Sequence, residues 1–237
     1  MPETIWDRTE LESLLLADND LEVVSDRIRA LVRLRMLDLG HNRLAALPAL
    51  TALTELDILY VHDNRLVELP ALALPQLRYL NASANLLSVL PAFVLPNLRE
   101  LRIANNRIAV LPALGPKLRE LHAASNALVA LPDSIGTLAE LRELDLTDNQ
   151  LATLPDAIAG LARLHRLALR DNQLVTLPAS IGALGALRTL DLRGNPLASL
   201  PDSLAELALD KLDLRWTSLA PPPWLDRLAA RGCIIYR

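Results

Sequence analysis

An asparagine returns along the chain at Asn19, Asn42, Asn64, Asn85, Asn106, Asn126, Asn149, Asn172 and Asn195, always eight residues after a leucine and two before another aliphatic residue. The successive spacings are 23, 22, 21, 21, 20, 23, 23 and 23 residues. A period this short and this regular rules out a globule built around one centre. A unit of that length cannot bury its own apolar face, so each must stack on its neighbours in a continuous array.

The fullest copy is Leu141-Arg-Glu-Leu144-Asp-Leu146-Thr-Asp-Asn149-Gln-Leu151-Ala-Thr-Leu154-Pro155, and it returns with little change from Leu34, Leu164 and Leu187. The pattern L-x-x-L-x-L-x-x-N-x-L-x-x-L-P resembles the leucine-rich-repeat family over nearly the whole chain. A tenth unit, Leu209 to Leu219, keeps the leucines but has Thr217 in place of the asparagine, as befits a terminal unit. The resemblance implies an α/β solenoid, a right-handed horseshoe with a parallel concave sheet and helical, 3-10 or extended convex segments. Units of 20 or 21 residues resemble those of secreted bacterial leucine-rich-repeat ubiquitin ligases, and the 23-residue units resemble intracellular Ras-suppressor-like proteins. The chain mixes both types, so repeat class alone selects no function.

The repeat positions have separate physical tasks. Leu-x-x-Leu-x-Leu alternates with period two, which predicts a short strand with leucines inward and the intervening residues outward. Where the strand ends, the backbone turns in and leaves N–H and C=O groups unpaired; the asparagine amide offers donors and an acceptor to satisfy them. All nine asparagines are therefore expected to be scaffold. The Leu-Pro pairs that follow, from Leu47-Pro48 to Leu200-Pro201, keep the return path out of the sheet. Longer units such as Pro132-Asp-Ser-Ile-Gly-Thr-Leu138 have room for a helical turn with Ile135 and Leu138 inward. Shorter ones, such as Pro91 to Leu98 and Pro112 to Leu118, carry a second proline and should be extended or 3-10.

A single domain is expected, with an N-terminal cap at 1–10, ten repeats over 11–220 and a C-terminal cap at 221–237. Ile5 and Trp6 should form the first cover and meet Leu15, which would otherwise be a leucine exposed on the concave face. At the other end Pro221 to Gly232 reads as a proline-started helix, apolar at Trp224, Leu225 and Leu228, and Cys233 to Tyr236 as a last strand. With Met1 and this cap, the sequence reads as complete. Hydrophobic residues make up 51% of the chain and aromatic ones only 3%, so the core must be stacked leucine layers. Cys233 is the only cysteine, which excludes an internal disulfide and favours a reducing, cytoplasmic setting. The longest uncharged run, Asn172 to Leu187, contains Pro178 and two glycines and is too short to span a membrane. An N-terminal type III secretion signal has no fixed residue signature, so secretion as an effector is compatible with the sequence. The net charge is −4 and no Lys/Arg block is present, so no basic stripe of the kind nucleic acid needs is expected.

Function on a repeat scaffold sits on the outward strand positions. From the second to the sixth repeat these display Met36, Ile58, Tyr60, His62, Tyr79, Asn81, Arg102 and His122, bordered by Glu100 and Glu120. Aromatic anchors and an arginine beside small residues (Gly40, Ala104, Ala124) predict an uneven partner-binding surface. The alternative is that Tyr and Ile merely suit strands and pack on one another. Further along, Arg170, Arg193 and Arg215 stand beside Asp145, Asp191 and Asp213, which predicts a solvated ion-pair ladder and a secondary polar surface, with Trp216 at its end as cap or anchor.

Catalytic readings find little support. His62 and His122 are three strands apart, about 14 Å, too far to share a metal or a proton-transfer step. His41 and His62 lie on adjacent units with no obvious third ligand. There is no phosphate loop or nucleophile elbow, and Cys233 belongs in the cap. The expectation is a non-enzymatic, monomeric module without cofactor or metal, docking a protein or peptide through Tyr60, Tyr79, His62, Arg102 and His122. Two rivals stand beside it: the recognition part of a system whose ubiquitin ligase or other signalling enzyme lies elsewhere, and an architectural or self-associating scaffold.

Overall fold

The computed structural model describes residues 3–237. Eleven three-residue strands pair in chain order into one parallel sheet: β1 Ser13–Leu15, β2 Met36–Asp38, β3 Ile58–Tyr60, β4 Tyr79–Asn81, β5 Glu100–Arg102, β6 Glu120–His122, β7 Glu143–Asp145, β8 Arg166–Ala168, β9 Thr189–Asp191, β10 Lys211–Asp213 and β11 Ile234–Tyr236. The register follows the repeat, so that Leu37 stands against Leu59, Leu59 against Leu80 and Leu80 against Leu101. These central leucines are fully buried and their strand neighbours face outward, as the period-two pattern requires. The expected leucine-rich-repeat solenoid is what the sequence folds into.

The asparagines close the turn after each strand. Asn149 is representative: Nδ2 donates to the carbonyls of Ala123, Leu146 and Thr147 at 3.0, 3.1 and 3.2 Å, while Oδ1 accepts from Leu128 N–H at 3.0 Å. One side chain thus ties its own coil to the preceding one, and the pattern repeats at Asn42, Asn64, Asn85, Asn106, Asn126, Asn172 and Asn195. The residue before each asparagine is left-handed, including Asp18, His41, Asp63, Ala84, Ser125 and Gly194. Asp, Asn, His and Gly tolerate that conformation; Ala84 and Trp216 hold it against a Cβ clash.

Return paths divide by length as expected. The longer units make single 3-10 turns at Asp26–Ala30, Asp133–Thr137, Asp156–Gly160, Ala179–Ala183 and Asp202–Glu206, with Ile135 and Leu138 buried. The proline-rich central units are extended, with one parallel bridge between Ala73 and Val94.

Both ends are covered. A 3-10 turn at Glu3–Asp7 buries Trp6 against the first leucine layer, and Asp7 pairs with Arg27 at 2.5 Å. It does not reach Leu15, which stays 62% exposed, because the turn covers the open end of the core and not the concave face. Helix α1, Leu225–Ala230, buries Trp224, Leu225 and Leu228; Gly232, at φ +95°, ends it, and β11 pairs with β10. Cys233 is buried, and that burial pushes its thiol above the ordinary range, followed by the nearby Asp210 charge. Among the described residues no helix is long and apolar enough to cross a membrane.

Candidate functional site

The in-register sheet places the outward residues of β2 to β6 in two adjacent rows. Met36, Ile58, Tyr79, Glu100 and Glu120 stand side by side, and so do Tyr60, Asn81, Arg102 and His122. His62 lies just past β3. All ten expected partner-binding residues are thus brought to one stretch of the concave face, and all are half-buried by one another.

The rings form a continuous chain. The Tyr60 and Tyr79 centroids are 5.0 Å apart, Tyr60 and His62 5.8 Å, and His62 and His41 4.8 Å, the last two edge-on. Offset and edge-on geometries let each ring edge meet a neighbour's electron-rich face. Burial raises the Tyr79 hydroxyl above the usual phenol range, with Arg102 pulling the other way. At the C-terminal border of the rings, Arg102 Nε donates to Glu100 at 2.5 Å, and His122 Nε2 lies 3.3 Å from a Glu120 oxygen. Burial opposes the Arg102 charge, but the bond and attraction to Glu100 outweigh it and hold the guanidinium above its ordinary value. The apolar and aromatic centre is therefore bordered on its C-terminal side by Arg102 and Glu100, which neutralise each other, and by the Glu120–His122 contact.

The unevenness expected at Gly40 is filled. The His62 ring lies on that glycine so closely that a β-carbon there would be 2.5 Å from Cε1. His41 lies beyond the end of its strand, yet its left-handed backbone, φ 51°, turns it back against His62. Nor are the two histidines without a third candidate ligand: Asp63 brings a carboxylate oxygen to 3.7 Å from His41 Nδ1, and one ligand atom each from His41, His62 and Asp63 lies within 4.8 Å of the others. Glu100, Glu120 and His122 form a second such group. The signal for the first was in the sequence: His-Asn and Asp-Asn at one repeat position place both groups at equivalent turns.

The second zone is less solvated than expected. Arg193 forks Asp191 at 2.9 and 2.5 Å and reaches Asp213 at 3.5 Å, and Arg215 forks Asp213 at 2.9 and 2.8 Å. Asp213 is completely buried, so this end of the ladder is a packed element and not a free polar surface. Arg170 stands outside it, bonded to its chain neighbour Asp171 at 2.7 Å. Asp145 accepts from Thr147 N–H at 3.0 Å and takes no part in the ladder. Trp216 is no buried cap: it is 70% exposed, with the Arg193 and Arg215 guanidinium carbons 5.9 and 5.6 Å from its ring.

One surface feature escapes any search for contiguous charge. The residue before each strand is Arg78, Arg99, Arg119, Arg142, His165 and Arg188 in six successive coils. The fold lines these up along one rim of the sheet, so a basic row exists although no Lys/Arg block does.

Sequence comparison matches a leucine rich repeat model at residues 9–66 and 116–174, and a further leucine rich repeat model at 186–207. No curated protein matches the chain at a significant level. Among solved structures, YopM from Yersinia enterocolitica WA-314 is 33% identical, with a TM-score of 0.72, over 90% of this chain and 44% of its own. YopM from Yersinia pestis, a leucine-rich effector protein, is 31% identical with a TM-score of 0.70, over 92% of this chain and 65% of its own. The functional domain of InlJ from Listeria monocytogenes is 24% identical with a TM-score of 0.82, over 98% and 49%, a likeness of fold. The chain thus spans less than two thirds of each of these three.

Proposed function

Because the chain belongs to the leucine-rich-repeat family, whose members generally mediate protein–protein interaction, we propose that it is a non-enzymatic binding module that docks a protein or peptide on the concave face of β2 to β6. The observation that carries this reading is the linked ring series Tyr79, Tyr60, His62 and His41 beside Arg102. Aromatic residues and arginine are the side chains from which binding hot spots are most often built, and half-buried rings lose little conformational freedom on contact. The rigid strand register adds preorganisation, which lowers the ordering cost of association.

A second reading takes its support from the two YopM proteins at 33% and 31% identity: the chain acts as an effector or recognition component, with any enzymatic step supplied by another polypeptide. The single buried cysteine suits work in a reducing compartment. The test compares proteins captured by the intact chain and by Tyr60→Ala/Tyr79→Ala/Arg102→Ala, with folding verified by circular dichroism. Loss of the specific partners from the variant is expected; retention of every partner contradicts the concave-face reading.

A further inference from the structure

The basic row on the sheet rim is built by backbone pairing, independent of side-chain conformation. Arg99 N–H donates to Arg78 O at 2.9 Å, Arg119 to Arg99 and Arg142 to Arg119 at 2.7 Å, His165 to Arg142 at 2.8 Å and Arg188 to His165 at 2.9 Å. Neighbours in the row are therefore one strand step apart, about 4.8 Å.

The side chains at the ends of the row are engaged, the first by a carboxylate and the last by neutral carbonyls. Asp57 forks Arg78, and Arg188 donates to the carbonyls of Gly185, Leu187 and Ala208. Between them, Arg99, Arg119 and Arg142 have no carboxylate within ion-pair distance among the described residues. Lys117, two residues before Arg119, donates only to the neutral Asn97 amide, at 2.6 Å. Of the acids close by in sequence, Glu100 pairs with Arg102, Glu120 with His122 and Glu140 with Arg163, and Glu143 forms no ion pair with its neighbour Arg142 among the described residues. At its N-terminal end the row opens into a trough of about 550 Å³ where Glu55 and Asp57 pair with Arg35 and Arg78, and Arg99 is the guanidinium left without a carboxylate. A protein of net charge −4 thus carries a concentrated, unneutralised positive strip.

We propose that this rim docks an extended acidic segment of a protein, rich in Asp and Glu, laid across the strands. Arginine forks bind carboxylates bidentately, and unpaired guanidiniums on a surface steer an oppositely charged partner before contact. From Arg78 to Arg188 the row covers five strand steps, about 24 Å, which an extended chain crosses in about seven residues. Nucleic acid fits less well. Glu100, Glu120 and Glu143 form a parallel row one residue further in, beneath anything as broad as a duplex. A single strand would need a series of stacking platforms, and the row offers one ring, the His165 imidazole. The inference concerns a rim outside the ring series and does not rest on the concave-face reading.

Fluorescence anisotropy with labelled octaglutamate, octaglutamine and an eight-nucleotide oligothymidylate tests it. Octaglutamate should bind in preference to both others, with affinity falling steeply between about 50 and about 300 mM salt as screening tightens. Arg99→Gln/Arg119→Gln/Arg142→Gln should weaken it at least about tenfold, the loss expected when charge-assisted pairs are removed, while Arg43→Gln, outside the row and paired with Asp20, binds like the parent. If the triple variant does not fold, each single Arg→Gln change must still weaken octaglutamate. Failure of the parent to bind octaglutamate, unchanged affinity in the arginine variants, or tighter binding of oligothymidylate overturns the proposal.

Discussion

His62 lies with its imidazole against the backbone of Gly40, where a β-carbon would be 2.5 Å from its Cε1 and 2.9 Å from its Nδ1. The missing side chain on one coil is the seat for a ring from the next, and that ring bridges Tyr60 and His41. Gly40→Ala should therefore expel His62 and detach the histidine pair from the tyrosines. The stability cost is expected to be about 1–2 kcal/mol, typical of overpacking. Imidazole chemical shifts of His41 and His62 should change together, and unchanged shifts would mean that the seat is not needed.

The asparagine ladder predicts a strong dependence on position. Asn149→Ala removes four hydrogen bonds inside the array and leaves the Leu128 N–H unpaired, costing about 2–4 kcal/mol. Asn19, exposed in the first coil, bonds only to Leu16 and Ala17 of its own turn, so Asn19→Ala should cost less than about 1 kcal/mol. Urea unfolding midpoints measure the difference, and equal costs would contradict the ladder as the tie between coils.

At the charged end, burial works against the Asp213 carboxylate, but hydrogen bonds from the Arg215 side chain and backbone and the Arg193 charge prevail and hold its pKa below the ordinary value. A depressed carboxylate stabilises the fold fully above its unfolded pKa, about 3.9, and the contribution is lost as pH falls through the lower folded value. Asp213→Asn should lower the melting temperature at neutral pH, by about 1–3 kcal/mol of stability. The gap to the parent should narrow below about pH 4. A gap constant from neutral pH to that range would show that the carboxylate charge is irrelevant.

Ala84 occupies the left-handed turn position at φ 53°, where most other coils place Asp, Asn, His or Gly. Ala84→Asn should relieve part of that clash and stabilise by about 0.5–1 kcal/mol, without touching the outward rows. A thermal melt with an unchanged or lowered midpoint would argue that this turn carries no strain.

How much could be read before folding depended on whether a property repeats at the period of the coil. The strand leucines, the asparagine bonds and the Leu-Pro return paths each follow from one residue type at one position, so counting from Asn149 locates them; the Trp224 cap is legible from its own proline start and glycine stop. Leu15 is expected under the Trp6 cover and is not there, because the turn's path is set by the open end of the core and no repeat position fixes it. His41 and Asp63 were missed as partners because a left-handed turn redirects residues that a strand rule places out of reach. The arginine rim was missed for a different reason: its members Arg78, Arg99, Arg119, Arg142, His165 and Arg188 are 20 to 23 residues apart, and only parallel pairing converts that period into a row.

The most direct test of the binding face is site-specific photo-crosslinking. A benzophenone amino acid is placed singly at Tyr60, Tyr79 and the exposed Val129, away from the concave rows, and exposed to each protein the intact chain captures. The concave-face account predicts partner adducts at Tyr60 and Tyr79 and background labelling at Val129; equal or greater yield at Val129 would contradict it.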